Sequence, residues 1–242
     1  MSIAEKFEII ADAVYEKGIS GRDELIYNVV TDNERRINYH NAFQYSNWTG
    51  YEFIKPIKPT GYISNMFYSC NNMTSLPTPL DFSEAFTADN YVESYTYRTS
   101  VFAYCRNLEF VPDLNMKALG GIEQWFRQCR ELHTIELLRV KRETIYTNTF
   151  SECSALTNIT FEGEIGQSIS FKDSPLLSIE SQINIIKHLV DFSGTDDAGT
   201  RILTIHANAW EKLNQTYSSP IEVGISFYGS WISYVESLGW SM

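Results

Sequence analysis

Hydrophobic positions along this chain recur in short units rather than in long helical stripes. One arrangement returns in full four times: an aromatic residue, two others, a cysteine, two others, a leucine or methionine, two others, an aliphatic residue. The copies are Phe67-Tyr68-Ser69-Cys70-Asn71-Asn72-Met73-Thr74-Ser75-Leu76 and Phe102-Ala103-Tyr104-Cys105-Arg106-Asn107-Leu108-Glu109-Phe110-Val111. They continue as Phe126-Arg127-Gln128-Cys129-Arg130-Glu131-Leu132-His133-Thr134-Ile135 and Phe150-Ser151-Glu152-Cys153-Ser154-Ala155-Leu156-Thr157-Asn158-Ile159. A degenerate fifth, Phe171-Lys172-Asp173-Ser174-Pro175-Leu176-Leu177, carries serine in the cysteine slot, and a sixth opens the series at Ala42-Phe43. A unit of about 24 residues cannot bury a face alone and must stack on its neighbours. Stacking sets equivalent residues one above another. Phe67, Phe102, Phe126 and Phe150 then make an aromatic spine, and Cys70, Cys105, Cys129 and Cys153 a second one of small, apolar thiols. Met73, Leu108, Leu132 and Leu156 form a third column, and Leu76, Val111, Ile135 and Ile159 a fourth.

After each leucine the pattern alternates apolar and polar, as a half-buried strand does. Strands added side by side predict an α/β repeat with a parallel sheet, joined through turn-like segments between phenylalanine and leucine. Strict alternation points one row outward through Ser75, Phe110, Thr134 and Asn158. A second row holds Pro77, Pro112, Glu136 and Thr160, and a third Pro79, Leu114, Leu138 and Glu162. Phe110, Leu114 and Leu138 would then form an exposed apolar patch, the mark of a partner site; a shift of one residue would invert the assignment. The candidate binding residues are therefore Phe110, Leu114, Thr134, Glu136, Leu138, Asn158 and Thr160.

The first two cysteines stand 35 residues apart where the others stand 24 apart. The excess lies around 81–97, and Tyr91, Tyr95 and Tyr97 make it a candidate contact loop, since insertions in repeat arrays project from one face. Packing back onto the stacked units is the competing reading. Residues 2–17 read as a helix with Ile3, Phe7, Ile10 and Val14 on one stripe, Ser2 and Glu5 as a capping box and Gly18 as a stop. That helix either closes the first unit or pairs with copies of itself in a homo-oligomer. At the other end, Ser178-Ile179-Glu180-Ser181 starts a second helix, a Gly-bounded turn leads to a strand at 201–205, and a helix follows at 207–213. These elements would shield the last sheet edge.

Nineteen Lys and Arg against 30 Asp and Glu give a net charge of -11. That balance excludes a non-specific binder of nucleic acid or anionic lipid. With 14 % aromatic residues the chain is not disordered either. No apolar run spans a membrane, and the N-terminus has no basic segment followed by an apolar one. The chain is expected to be made and folded in a cytoplasm, with exit by cell lysis as part of a particle left open. Four cysteines allow three disulfide pairings, which a reducing compartment disfavours. His133 follows Cys129 by four residues, but the cysteine belongs to the buried column and the histidine to a strand surface. His188 and His206 lack a motif around them, and Asp196-Asp197 lacks the oxygen ligands of a calcium loop. No enzyme, cofactor or metal is expected.

The Phe-x-x-Cys-x-x-Leu-x-x-Ile units over residues 40–180 resemble the BspA-like leucine-rich repeats. The closing stretch, with Thr204-Ile205-His206, Lys212-Leu213 and Gly239-Trp240, is similar to the segment that ends such proteins in phages and prophages of gut bacteria. The resemblance implies a leucine-rich-repeat solenoid with an N-terminal helical cap at 1–40, repeats at 41–177 and a C-terminal α/β cap at 178–242. It further implies a non-enzymatic protein-binding module, phage- or prophage-encoded and virion- or tail-associated, contacting a surface protein or glycan of a bacterial host. The acidic character keeps a second reading open: an intracellular anti-defence protein that binds and inhibits a host immune protein.

Overall fold

The computed structural model describes residues 44–45, 63–76, 80–82, 100–117, 119–216, 221–223 and 226–242. The helix expected at 2–17, Pro77, Pro79, and Tyr91, Tyr95 and Tyr97 lie outside these residues.

Each Phe-x-x-Cys unit is a tight turn. Two residues before and two after the phenylalanine, the backbone is left-handed: Asn65 and Ser69, Ser100 and Tyr104, Gln124 and Gln128, Asn148 and Glu152, with φ between 54° and 65°. Such a conformation costs a non-glycine residue about 1–2 kcal/mol. In return, N–H groups of one turn reach carbonyls of the next. Phe67 N donates to Val101 O at 2.8 Å and Ser69 N to Ala103 O at 2.8 Å. Phe102 N and Tyr104 N reach Trp125 O and Arg127 O at 3.0 and 2.7 Å, and Phe126 N and Gln128 N reach Thr149 O and Ser151 O at 3.1 and 2.8 Å. Two such bonds per turn, each worth about 1 kcal/mol net, offset much of the strain.

Inside the turns the phenylalanines stack. Ring centroids of Phe67, Phe102, Phe126, Phe150 and Phe171 follow one another at 5.3, 5.6, 6.0 and 4.7 Å, with planes within 18° of parallel. Beside them run the cysteines, all buried and none in a disulfide. Cys105 Sγ donates to Phe67 O at 3.0 Å, Cys129 Sγ to Phe102 O at 3.1 Å and Cys153 Sγ to Phe126 O at 3.1 Å. Those carbonyls already accept the N–H of Cys70, Cys105 and Cys129. The thiol takes the second lone pair, so the slot asks for a side chain that is small, apolar and a weak donor.

The strands follow the leucine column: Leu80–Asp81 (β1), Phe110–Val111 (β2), Leu114–Asn115 (β3), Thr134–Arg139 (β4) and Asn158–Glu162 (β5). They form a five-stranded parallel sheet, with β5 on one side of β4 and β2 and β3 in succession on the other. Pro112, which has no N–H to donate, stands between β2 and β3. After β5 the chain turns at Gly163, whose φ of +99° brings it so close to Val140 that a Cβ would stand 2.1 Å from the Val140 carbonyl oxygen.

Among the described residues no further strand pairs with β5. Helix α1 (Ile179–Lys187) lies against it instead, with Ser178 as N-cap. Ile159 N donates to Ser181 Oγ at 2.8 Å and Phe161 N to Asn184 Oδ1 at 2.7 Å. Two side chains thus satisfy edge donors that would otherwise invite another strand. Strand Ile169–Phe171 (β6), which precedes α1, pairs in parallel with Arg201–Ile205 (β7), which follows it. Helix Ala207–Thr216 (α2), the hairpin Ile221–Val223 (β8) with Ser226–Tyr228 (β9), helix Trp231–Ser237 (α3) and Trp240–Ser241 (β10) complete the order, β10 lying on β7. Gln182 joins the helices: its Nε2 donates to Leu177 O at 3.1 Å and to Ala209 O at 2.9 Å. The whole is a repeat α/β fold built on parallel strands.

Candidate functional site

The sheet leaves one face open. Ser75 bridges to Phe110, Phe110 is in register with Thr134, and Thr134 with Asn158, so the four form one continuous row. Ser75 and Thr134 are half-buried, Asn158 is exposed, and Phe110 is 37 % exposed. Glu109 and His133 stand exposed just before this row, and Glu136 and Thr160 just beyond it.

Leu114 and Leu138 correct the sequence reading. Both are fully buried, Pro112 is buried too, and among the described residues no apolar patch joins them to Phe110. The register shifts between Ile135 and Leu138: Ile135 pairs with Ile159, but Leu138 pairs with Phe161, so β4 spends one residue more than β5 over this span. That bulge rotates Leu138 inward and leaves Leu137 half-buried. Leu114, in register with Leu138, turns inward with it.

At the far end of the strands lies a charged row that alternation did not reveal. Arg139 grips Asp113 through two bonds, Nε to Oδ1 at 2.9 Å and Nη2 to Oδ2 at 2.6 Å, and also binds Glu162. Lys117 reaches Glu162 at 2.7 Å. The hydrogen bond from Lys117 holds the Glu162 carboxyl below its usual range, and the one from Arg130 does the same for Glu152. These basic groups are therefore committed to carboxylates within the repeats.

The turn side carries a second unforeseen feature. Tyr45 meets Tyr68 edge-on at 5.7 Å, Tyr68 meets Tyr104 at 5.1 Å, and the Arg127 guanidinium lies 5.7 Å from the Tyr104 ring centre. The signal was available in sequence, since a tyrosine follows the aromatic slot by one or two residues in three copies.

Burial pushes the thiols of Cys105, Cys129 and Cys153 up, away from the thiolate a nucleophile needs. Cys129 Sγ points to a carbonyl, while His133 is exposed on the sheet side. His206 accepts the Asn208 N–H at 3.1 Å at the start of α2, and His188 Nδ1 meets Asn184 O at 2.8 Å. Asp196 and Asp197 stand exposed in their turn. Among the described residues, no group of three or more His, Cys, Asp or Glu is placed to hold a metal ion, and no helix is long and apolar enough to cross a membrane.

The profile of one family, the BspA type Leucine rich repeat region, matches residues 64–190 in six copies, just over half of the chain. No curated protein and no solved structure matches it.

Proposed function

The chain belongs to the BspA-type leucine-rich-repeat family, and from that membership we propose a non-enzymatic binding module that meets its partner through the open face of the β2–β5 sheet. Leucine-rich repeats serve as protein-interaction modules, and stacked repeats offer a long, rigid surface. The observation that carries the reading is the row Ser75–Phe110–Thr134–Asn158, in which a phenyl ring stands exposed among hydroxyl and amide groups on a backbone held by inter-copy hydrogen bonds. In this reading the repeats form a solenoid, with the segment from α1 onward closing one end and the helix at 2–17 the other.

The protein is in this proposal phage- or prophage-encoded and virion- or tail-associated, and its partner is a surface protein or glycan of a bacterial host. The resemblance of residues 178–242 to closing segments of phage and prophage members supports the origin. The net charge of -11 supports a second reading, an anti-defence protein that offers acidic surface to a basic groove of a host immune protein. Mass spectrometry of purified particles separates the two: the virion reading expects the chain in the particle, and its absence there sinks that reading. Capture from host lysate with the native chain and with Phe110→Ala tests the sheet face. A partner retained equally by both would place binding elsewhere.

A further inference from the structure

We infer that the open sheet face takes a cationic side chain, lysine or arginine, of a protein partner, laid over Phe110 and flanked by Glu109 and Glu136. The inference rests on the reading of this face as the binding surface and adds the chemistry of what is bound.

Phe110 is the one large apolar side chain exposed on this sheet among the described residues. Its neighbours along the row are short, Ser75 on one side and Thr134 on the other, so the ring is not shielded by longer groups. Glu109 precedes it in the chain. Glu136 lies two residues beyond Thr134, the register partner of Phe110. With strands about 4.8 Å apart and a rise of about 3.3 Å per residue, the Cα atoms of Phe110 and Glu136 are about 8 Å apart on the diagonal. Glu136 therefore shares the face of the ring, and Glu109, exposed just ahead of the strand, adds negative charge at its edge.

Neither glutamate joins an ion pair among the described residues, although both are exposed. The basic groups of adjoining rows are already engaged: Arg139 with Asp113 and Glu162, Lys117 with Glu162, and Arg130 with Glu152. Arg106 sits in the turn row with Arg130, not on the strands. His133 is the one basic side chain of the rows around Phe110. Among the described residues the face thus keeps a negative potential, uncompensated by an ion pair, over an aromatic ring, the arrangement that attracts an ammonium or guanidinium. Thr134 and Asn158 add acceptors for guanidinium N–H groups. A neutral sugar could stack on the same ring, but it would make no use of two carboxylates that no described residue pairs.

The test uses the full chain and amide-resolved NMR. The probes are a hexa-arginine peptide, a glycine–serine hexapeptide and a chito-oligosaccharide. Hexa-arginine should move the amides of Phe110, Thr134 and Asn158 saturably, and its affinity should fall steeply as salt rises through the range where the screening length drops below about 10 Å. Glu109→Gln with Glu136→Gln should weaken it about tenfold, and Phe110→Leu about three- to fivefold. Glu180→Gln with Glu211→Gln, away from the sheet face, should leave it unchanged and controls for attraction to the acidic chain at large. No shift at these amides, or equal weakening by the control pair, overturns the inference. If the neutral peptide or the sugar moves the same amides as strongly, the cation is wrong while the sheet face stands as the binding surface. If a captured partner protects only other residues, the face itself is wrong.

Discussion

The phenylalanine ladder makes a quantitative demand. Phe126 lies between Phe102 at 5.6 Å and Phe150 at 6.0 Å, with Trp125 edge-on at 6.4 Å, and is fully buried. Removing the ring altogether, Phe126→Ala, should cost about 3–5 kcal/mol, a large part of the stability of a domain this size. Phe126→Leu keeps most of the apolar volume and loses two stacked pairs, each worth about 0.5–1.5 kcal/mol beyond area, so about 1–3 kcal/mol. The sharper measurement is a double-mutant cycle by urea unfolding. Phe126→Leu with Phe150→Leu, adjacent rungs, should show a coupling of about 0.5–1.5 kcal/mol. Phe126→Leu with Phe171→Leu, separated by the Phe150 ring, should be additive within about 0.5 kcal/mol. Equal coupling in both cycles would refute a ladder of nearest neighbours and point to one undivided core.

Three other perturbations probe the remaining supports. Ser181→Ala and Asn184→Leu orphan the edge donors Ile159 N and Phe161 N, so each should cost about 1–3 kcal/mol and raise light scattering on concentration; unchanged scattering in the double variant would contradict a sheltering role for α1. Burial raises the folded thiols of Cys105, Cys129 and Cys153 above their unfolded values, so the folded state keeps protons that the unfolded chain loses. Stability should be full below about pH 8 and fall by roughly 1.4 kcal/mol per pH unit per thiol above it; Cys129→Ser should flatten the slope measured by denaturant titration between about pH 7 and 9.5, at a neutral-pH cost of about 1–2 kcal/mol. Asn148 is exposed and left-handed at φ 55°, so Asn148→Gly should change the urea midpoint little, whereas Asn148→Val should lower stability by about 1–2 kcal/mol.

The columns were legible because a stacked unit repeats whatever its neighbour above and below must touch. Phenylalanine, cysteine and leucine recur at fixed intervals, and the strand at 201–205 was bounded by its own alternation. The helix from Ala207 runs to Thr216, three residues past the expected end. Strict alternation turns Leu114 and Leu138 outward because it allows no extra residue in the strand. Val111 to Leu114 and Ile135 to Leu138 are three residues apart, while Ile159 to Phe161 is two, and a strict period of two cannot bury both members of the first two pairs. Burying a leucine is worth about 1.5–3 kcal/mol, and the backbone admits a bulge to gain it. The hairpin β8–β9 and helix α3 were not anticipated, being short and set among serine and glycine. The edge role of Ser181 and Asn184 is invisible in a linear pattern, since it depends on where α1 meets β5.

The same logic explains why the fold reads so much more easily than the partner. A buried position is constrained by its own copies, so periodicity reports packing. An outward position touches no copy of itself with comparable force, since side chains on an exposed face contribute only about 0.2–1 kcal/mol per cross-strand pair. It is free to depart from the repeat, and departure is where binding information can reside. Serine, threonine and asparagine in the outward row obey the polar rule; Phe110 does not. Keeping a ring more than a third exposed forgoes part of the burial gain that every other repeat phenylalanine described here collects. Among the described residues that loss has no return: no ring contact there stabilises Phe110, and its row neighbours are a serine and a threonine. A return from outside, through a partner group that covers the ring and meets Glu109 and Glu136, is what accounts for a phenylalanine there.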